Sequence, residues 1–311
     1  MSDEIATYLG PKGYSIKKEN ITVQEQELIR KELTVKAFVP KSSISQPTPF
    51  PVYRESPNKI YVPRYYGFKT YGEPDAIKIK EGDDINIPFA GDLRPFQKPI
   101  VEKYIKNAKS KGGGLLEIHC GAGKTVMALK IISELKKKTL VIVHKEFLLQ
   151  QWKERINQFL PTAQVGRIQG DIIDIEGKDI VIGMLQSLSM KKYPSSIFQN
   201  FGLTIIDETH HIAAEVFSNA LFQIVTKYML GLSATMERKD RLTFVIKMFL
   251  GEVVYKKERD SSKDIVTVKG INYEIDDEEF SKVEYNFKGQ VHYSKMIKKL
   301  CEFNRRSEFI I

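Results

Sequence analysis

The segment LEIHCGAGKTVMALKIISEL (116–135) constrains the fold most, because it combines an apolar run, a glycine-rich loop and a helical pattern. Its two glycines allow a tight turn whose N–H groups point inward, and the N-terminus of the following helix adds partial positive charge. Lys124 would contact the β- and γ-phosphates of a nucleotide, and Thr125 would bind Mg²⁺, as in the pattern G-x-x-x-x-G-K-T. Ile118 replaces the first glycine of that pattern, but a loop lacking only this outermost glycine can still bind phosphate.

Between residues 91 and 250 the sequence alternates short apolar runs with helical patterns. The runs are rich in Ile, Leu and Val, as expected of buried parallel strands. This alternation predicts an α/β fold with a parallel sheet covered on both faces and ligands beyond the C-terminal strand ends. The predicted strands are Leu115–Ile118, Thr139–Val143, Asp179–Met184, Leu203–Asp207 and Met229–Ser233, and the clearest helices are Val126–Lys137 and Glu146–Phe159.

A second motif supplies what a bound nucleotide needs for hydrolysis. The apolar run in LTIIDETHH ends at Asp207 and Glu208, downstream of the glycine-rich loop. Mg²⁺ needs a carboxylate ligand, and the attacking water needs an orienting base. Asp207 is therefore predicted to bind Mg²⁺ and Glu208 to position and polarise the water. His210 and His211 follow directly and are predicted to connect the nucleotide to another motif.

Charge and composition narrow the functional classes. Of the formal net charge of +9, residues 91–250 contribute +8, because they contain 23 Lys and Arg against 15 Asp and Glu. Such an excess favours a polyanionic partner, although an ordinary solvated surface is the alternative reading. No apolar run approaches the ~20 residues of a membrane span, and the N-terminus lacks a signal-peptide layout. Cys120 and Cys301 lack metal-type spacing, so we expect reduced thiols in a cytosolic or nuclear protein.

Residues 1–90 have the pattern of a small α+β unit. Thr22 and Glu25 have capping-box spacing ahead of a helix predicted over Val23–Leu33. PKSSISQPTPFP is typical of a loop, and PVYRESPNKIYVPRYYGF of a hairpin that turns at SPN. Aromatic and basic residues alternate in the hairpin, a mixture that can stack bases and hold phosphates but more often forms the core and rim of a small sheet. They are Tyr53, Tyr61, Tyr65, Tyr66 and Phe68, with Arg54, Lys59, Arg64 and Lys69.

The C-terminal residues 251–311 change in character. KERDSSKDIVTVKG is typical of a linker that enters a strand, and YSKMIKKLCEFNRRSEFII of one helix that runs to the last residue. The chain ends where a further strand would be expected.

Six motifs in order resemble those of superfamily 2 helicases. They are LRPFQ (93–97), HCGAGKT (119–125) as motif I, LVIVHKEFLLQQW (140–152) as Ia, GMLQS (183–187) as Ib, DETHH (207–211) as II and LSAT (232–235) as III. Many members of this superfamily lack the first glycine of motif I. CGAGKT, the double His and GLSAT followed by ERKD are similar to the XPB-like group, which includes helicases of poxviruses and other large DNA viruses.

The resemblance implies a RecA-like ATPase lobe over residues 91–255, a small DNA-contacting α+β domain over 1–90, and a linker with the beginning of a second RecA-like lobe over 256–311. It implies ATP and Mg²⁺ as cofactors and nucleic acid as partner, with DNA favoured over RNA and no membrane. The catalytic residues would be Lys124, Asp207 and Glu208. ATP would contact Arg94, Gln97, Gly121, Ala122, Gly123, Lys124 and Thr125, with Mg²⁺ on Thr125 and Asp207. Coupling would involve His210, His211, Ser233 and Thr235, and the nucleic-acid backbone would lie near His144, Lys145, Gln186 and Ser187.

The sequence departs from a complete helicase because the motifs of the second lobe and its arginine finger are missing. Asn304-Arg305-Arg306 precedes any place where they could lie. Arginine fingers are worth about 10³–10⁵ in rate in related chemistry, so low turnover by this chain alone is expected. The second motor lobe is expected from a longer chain.

Four hypotheses follow. The first is an ATP-dependent DNA helicase or translocase that works with the transcription or repair machinery, in the cytoplasm or nucleus or, for a viral protein, in the viral factory or virion. The second is an RNA helicase, because the superfamily motifs do not separate the two polymers. The third is a nucleotide-gated DNA-binding or partner-binding module without turnover. The fourth is the ATPase subunit of a restriction system, which would need a nuclease partner.

Overall fold

The structure, a computed structural model, describes residues 6–39, 46–257, 269–287 and 289–310, with the backbone alone for His211. The chain forms two compact units, Met1–Arg259 and Asp260–Ile311. Most of KERDSSKDIVTVKG, predicted to be a linker that enters a strand, lies outside the described residues. Within the described ranges, no helix combines the length and the apolar character that crossing a membrane requires.

The N-terminal part of the first unit contains a five-stranded sheet, a two-stranded pair and two helices. The predicted capping box is confirmed, because Thr22 Oγ1 accepts the N–H of Glu25 while the Glu25 carboxylate accepts the N–H of Thr22. The elements are β1 (Thr7–Gly10), β2 (Gly13–Lys17), α1 (Val23–Glu32), β3 (Thr34–Val35), β4 (Phe50–Pro51), β5 (Arg54–Ser56), β6 (Lys59–Val62), α2 (Arg64–Tyr71) and β7 (Ala76–Ile77). The sheet order is β5-β6-β2-β1-β7, with β3 and β4 paired separately.

The predicted hairpin is confirmed at β5 and β6, but its second strand ends at Val62. The residues after Pro63 form α2, so Tyr65, Tyr66 and Phe68 lie on a helix, where the pattern had suggested a strand. Gly67 allows this arrangement, because a Cβ there would come within 2.2 Å of the Tyr14 ring. Tyr66 is buried. The aromatic residues of α2 therefore belong mainly to the core and rim of the small sheet.

The rest of the first unit is an eight-stranded sheet that is parallel except for its edge strand. Its strands are β8 (Gly113–Ile118), β9 (Thr139–Val143), β10 (Val165–Gln169), β11 (Ile172–Asp174), β12 (Ile180–Met184), β13 (Leu203–Ile206), β14 (Tyr228–Ser233) and β15 (Val253–Lys257). Their order is β11-β10-β12-β9-β13-β14-β8-β15. All five predicted strands are confirmed, with ends shifted by at most two residues. The pattern misses β10, β11 and β15, whose partial exposure interrupts the apolar run.

Both faces of the large sheet are buried, as the apolar strands predict. Leu140 and Ile142 of β9 lie in one hydrophobic cluster, whereas Val141 and Val143 lie in the other, because successive strand residues point to opposite faces. The predicted helix over 146–159 is confirmed, and the one predicted over 126–137 begins and ends two residues earlier. The helices are α3 (Lys98–Lys111), α4 (Lys124–Leu135), α5 (Glu146–Phe159), α6 (Leu185–Met190), α7 (Ala214–Leu221) and α8 (Thr243–Leu250).

The small sheet is attached to the large one by hydrogen bonds, including those of the buried Arg64 side chain. Arg64, at the start of α2, is buried and donates to the carbonyl oxygens of Thr226 at 3.4 Å and Lys227 at 3.0 Å. Elsewhere the N–H of Phe38 donates to the carbonyl oxygen of Asp240 at 3.0 Å. These contacts join the N-terminal strands directly to the segments around β14.

The second unit contains short helices in its described part: α9 (Glu278–Ser281), α10 (Tyr293–Glu302) and α11 (Asn304–Ile310). The prediction of one continuous helix over 293–311 is wrong. Phe303 adopts an extended backbone conformation with ψ of 100° and separates α10 from α11. Asn304 follows the break, and Asn favours helix ends because its side chain competes for backbone hydrogen bonds.

Candidate functional site

The glycine-rich loop after β8, residues 119–123, is called the phosphate loop below. Gly121 and Gly123 have φ of 79° and 84°, a left-handed region that costs other residues about 1–2 kcal/mol. A Cβ on Gly123 would also lie 2.5 Å from Nε2 of Gln97. Ile118, in contrast, is fully buried as the last residue of β8. The missing first glycine therefore falls in the strand, outside the turn that needs glycine.

The Gln97 side chain is hydrogen-bonded to the phosphate loop and to Arg94. Its Nε2 donates to the carbonyl oxygen of Ala122 at 2.8 Å, and its Oε1 accepts the N–H of Arg94 at 2.9 Å. The side chain is 3% exposed. The structure therefore brings Arg94 and Gln97 to the loop, with the amide of Gln97 engaged by backbone groups at both ends.

Lys124 begins α4 and lies beside the acidic motif. Its Nζ is 3.5 Å from Oε1 of Glu208 and donates to the carbonyl oxygen of Ile118 at 3.3 Å. Thr125 is the next residue of the same helix and is partly buried. Because β13 and β8 are separated only by β14, the acidic residues after β13 fall close to the phosphate loop. The sheet thus joins two motifs that are distant in sequence.

Asp207 is 5% exposed and is held by two N–H donors. Trp152 Nε1 donates to its Oδ2 at 2.9 Å, and the N–H of Glu208 donates to its Oδ1 at 2.9 Å. Burial raises the pKa of Asp207 above its ordinary value, the Glu208 charge adds to this, and the Trp152 hydrogen bond and Lys124 charge oppose it. The sequence reasoning missed Trp152, although a buried indole N–H needs an acceptor and this is the only tryptophan of the chain.

Glu208 has a strained backbone and a poorly satisfied carboxylate. Its φ of 50° and ψ of 48° are left-handed, which costs a non-glycine residue about 1–3 kcal/mol. Its Oε2 atom is buried, lies 3.3 Å from Nδ1 of His210 and accepts no hydrogen bond from any described residue. Strain of this kind persists where the surrounding structure enforces it, often at functional sites.

His210 connects the acidic motif to LSAT on β14. Its Nδ1 lies 2.8 Å from Oγ of Ser233, whose hydroxyl donates to the carbonyl oxygen of Thr235. Three of the four predicted coupling residues are therefore in contact. The fourth, His211, is described only by its backbone, in the short 3-10 turn Thr209–His211.

Arg238 is a further residue of the site that the sequence reasoning did not single out. Its Nη1 donates to three carbonyl oxygens of the turn that follows Glu208, and its Nε donates to Oδ1 of Asp240 at 2.9 Å. The side chain is 5% exposed. The three carbonyl groups belong to Thr209 at 3.2 Å, His210 at 3.2 Å and Ile212 at 2.7 Å. The sequence ERKD after LSAT contributes only to the family resemblance, and no local sequence pattern predicts which groups its arginine contacts.

The four residues predicted to face nucleic acid lie together at the ends of neighbouring strands. Nε2 of Gln186, which follows β12, donates to the carbonyl oxygen of His144, which follows β9, at 2.8 Å. Ser187 Oγ accepts the N–H of Gly170, which follows β10, at 2.9 Å. Lys145 is exposed beside them. These residues share the C-terminal edge of the sheet with the phosphate loop but follow different strands.

The donor set around the phosphate loop fits a Mg²⁺–nucleotide. The N–H groups of the loop and the start of α4 suit phosphate oxygens. The hydroxyl of Thr125 and the carboxylate of Asp207 are the oxygen ligands that Mg²⁺ prefers. Oε2 of Glu208 is an acceptor without a donor among the described residues, as a group that orients water requires.

Comparison with known proteins identifies relatives. Residues 90–238 match a family model described as "Type III restriction enzyme, res subunit". A protein of Acanthamoeba polyphaga mimivirus, whose name assigns it provisionally as an ATP-dependent RNA helicase, is 36% identical over 320 residues, 100% of this chain and 61% of that protein. The DNA 3'-5' translocase XPB2 of Sulfurisphaera tokodaii is 32% identical over 199 residues, 62% of this chain and 43% of that protein. The chain thus spans between 43% and 61% of the length of these two relatives.

Among solved structures, the UvsW helicase of bacteriophage T4 has a similar fold, with a TM-score of 0.51 at 16% identity over 76% of this chain and 94% of that one. This similarity concerns the fold alone. The sequence relatives carry the family assignment, together with the ordered motifs that the large sheet brings to one edge. Residues 90–238 form a helicase domain of superfamily 2, and the relatives of the chain include a DNA translocase named XPB2 and proteins of large DNA viruses whose names assign them provisionally as helicases.

Proposed function

We propose that this chain contains the N-terminal domain and first motor lobe of an ATP-dependent DNA helicase or translocase. The observation that carries the proposal is one connected site, in which Lys124 lies against Glu208 and His210 against Ser233. Such a site would link the state of the nucleotide to β14 and the segments beyond it. The name of the Sulfurisphaera relative, a DNA translocase, supports DNA as the polymer.

In this mechanism the protein holds the nucleotide and orients water. N–H groups of the phosphate loop and the ammonium of Lys124 would contact the phosphates, while Thr125 and Asp207 would hold Mg²⁺. When bound, the metal neutralises charge on the phosphate oxygens. Glu208 would accept a hydrogen bond from the attacking water, for which its Oε2 is available. A change at Glu208 would be transmitted through His210 to Ser233.

The nucleic-acid contacts would be made to the backbone. His144, Lys145, Gln186 and Ser187 would approach phosphate and sugar groups, so binding would be largely independent of sequence and weakened by salt. Residues 1–90 would form a further DNA contact, and residues 256–311 would lead into a second RecA-like lobe.

The cellular setting is also a proposal. The viral relatives support an intracellular role during infection by a large DNA virus, in transcription or repair of the viral genome. ATP and Mg²⁺ would be the cofactors.

An RNA helicase is the second candidate. One observation favours it: the mimivirus relative, which matches the whole chain at 36% identity, carries a provisional RNA-helicase name. The two candidates share the ATP chemistry and differ only in the polymer that stimulates it.

The test is ATP hydrolysis by this chain, measured without nucleic acid and with single-stranded DNA, duplex DNA or RNA, each at two salt concentrations. Glu208→Gln is the control, because it keeps the size of the side chain and removes the base. We expect DNA to raise turnover several-fold and Glu208→Gln to bind ATP without turnover.

Stimulation by RNA and not by DNA would replace the first candidate with the second. Intact ATP and DNA binding without turnover on any polymer would favour a nucleotide-gated binding module in this part of the chain. In that case the assay is repeated with the second lobe supplied, and continued absence of turnover would reject the motor function.

A further inference from the structure

Exposed apolar side chains are concentrated at one edge of the large sheet. Over residues 113–257, which the structure describes apart from the His211 side chain, five large hydrophobic side chains are more than 40% exposed: Phe147, Ile172, Ile173, Met190 and Phe244. Four of the five lie on the segments that follow β9, β10 and β12. Exposed apolar residues scattered singly need no explanation, but a concentration at one edge indicates a binding surface.

Hydrogen bonds and an ion pair hold these segments together. Gln169 Nε2 donates to Oε2 of Glu146, which precedes Phe147, at 3.2 Å, and Gln169 is the cross-strand partner of Ile172. Further contacts tie the turn between β10 and β11 to the segment after β12: Lys191 with Asp171, the Tyr193 hydroxyl with the Gly170 carbonyl oxygen, and the Gly170 N–H with Ser187 Oγ. The segments that carry Phe147, Ile172 and Met190 are therefore neighbours, and these exposed apolar residues are called the strand-end patch below.

The strand-end patch coincides with the residues proposed to hold a nucleic-acid backbone. His144 and Lys145 lie three and two residues before Phe147, and Gln186 and Ser187 follow β12. Phe147 is 55% exposed at the second position of α5, a helix whose other large apolar residues are buried except for the partly buried Phe159. The Lys145 ammonium lies 5.9 Å from the centroid of its ring. A cation beside an open aromatic face can hold a phosphate while the ring stacks on the attached base.

Charges at the patch also suit a nucleic acid. The segments of the patch contain three basic residues, Lys145, Lys191 and Lys192, and three acidic residues, Glu146, Asp171 and Asp174. All three carboxylates are engaged, Glu146 by Gln169, Asp171 by Lys191 and Asp174 by Lys178. A strand that follows this edge would therefore meet acidic groups that already have partners, together with the ammonium groups of Lys145 and Lys192.

We propose that the strand-end patch binds the unpaired bases of a single strand and that Phe147 stacks on one of them. This inference rests on the proposed function and makes it more specific, because bases inside a duplex are stacked on each other and offer no free face to Phe147. The motor would then grip an unpaired strand during its cycle. Ile172 and Met190 would flank the stacked base with apolar surface.

The experiment measures the affinity of the full chain by fluorescence anisotropy for four labelled polymers: a thymidine 20-mer, a uridine 20-mer, an abasic 20-mer of the same length and a blunt duplex. The proteins are wild type, Phe147→Ala, Phe147→Tyr and Phe244→Ala. Phe244 is 43% exposed on α8 and provides the matched control. Far-UV circular dichroism confirms that each variant is folded, which is expected for exposed positions.

We expect Phe147→Ala to weaken binding of the base-containing single strands about tenfold, the loss of one stacked base. Binding of the abasic strand and the duplex should change less than about twofold, because phosphate contacts remain. Phe147→Tyr should restore affinity, since a tyrosine ring also stacks, and Phe244→Ala should have no effect. A difference between the thymidine and uridine strands would show which polymer supplies the bases.

Two failures are distinguishable. Wild type that binds none of the four polymers would reject the proposed function itself. Wild type that binds them, with Phe147→Ala either unchanged or equally weak on the abasic strand, would overturn the stacking role and leave the proposed function standing; the strand-end patch would then be assigned to a protein partner.

Discussion

Glu208 combines a left-handed backbone with a buried carboxylate whose Oε2 lacks a hydrogen bond from the described residues. Both features lower the stability of the folded state, and β13, the strand before Glu208, does not require either of them. The cost is understandable if the residue must project its carboxylate toward Lys124 and a reacting water. Stability and activity should therefore respond in opposite directions when this residue is changed.

Replacing Glu208 with glycine should relieve the backbone strain, whereas alanine should retain it. Both variants lose the carboxylate, so their difference isolates the backbone. We expect Glu208→Gly to be more stable than Glu208→Ala by about 1 kcal/mol, the left-handed penalty of a Cβ. Urea denaturation measures the difference. Alanine equal to or more stable than glycine would show that the backbone at this position is not strained.

Titration of Asp207 should lower the free energy of unfolding as the pH rises, which is the opposite of the usual effect of a carboxyl group. Its pKa is raised, mainly by burial, so the folded protein binds this proton more tightly than the unfolded chain does. The stability it contributes is fully present below its ordinary pKa of 3.8 and is lost as the pH rises through the higher folded value. The free energy of unfolding of wild type minus that of Asp207→Asn should therefore fall as the pH rises from 3.8 toward neutrality. A flat or rising difference, measured by urea denaturation across this range, would contradict the burial argument.

At the scale of elements, the turn that follows Glu208 and contains His210 accepts three hydrogen bonds from one side chain, that of Arg238. Arg238→Ala removes donors from three carbonyl oxygens and breaks the pair with Asp240. We expect a loss of about 2–4 kcal/mol, because three carbonyl groups lose a charged donor and the partly buried Asp240 carboxylate loses its partner. Arg241→Ala is the control: its exposed guanidinium lies 3.9 Å from the Phe38 ring centroid, and such a contact is worth about 0.5–1 kcal/mol. Equal losses in thermal or urea unfolding would refute the special role of Arg238.

The elements show which parts of the fold the sequence can predict. Strands β9, β12 and β13 are buried on both faces, so their apolar runs are visible without any partner. The phosphate loop and the acidic pair are also local patterns. Trp152 and Arg238 could not be assigned in this way, because their partners Asp207 and Thr209 become neighbours only after the sheet has formed. The position at which the hairpin ends, before Pro63, likewise depends on the packing of α2 against Tyr14. A local sequence pattern does not predict this long-range contact.

At the scale of the whole molecule, the N-terminal strands and the large sheet form one compact unit. Arg64 is central to this attachment: it is buried, donates to the carbonyl oxygens of Thr226 and Lys227, and lies between the rings of Tyr65 and Phe68 at 5.5 and 5.4 Å. If the small sheet contacts DNA as proposed, this attachment would transmit force between it and the motor lobe.

Arg64→Ala should therefore weaken the attachment more than it perturbs either sheet. We expect a loss of about 2–4 kcal/mol, because the buried carbonyl group of Thr226 and the partly buried one of Lys227 lose a charged donor. The only tryptophan, Trp152, reports on the large sheet, whereas far-UV circular dichroism reports on every element. In Arg64→Ala the dichroism transition should begin at a lower urea concentration than the fluorescence transition, by a wider gap than in wild type. Lys69→Ala, an exposed change on the same helix, should leave the gap unchanged. Coincident transitions in Arg64→Ala would mean that the two sheets are held together by other contacts.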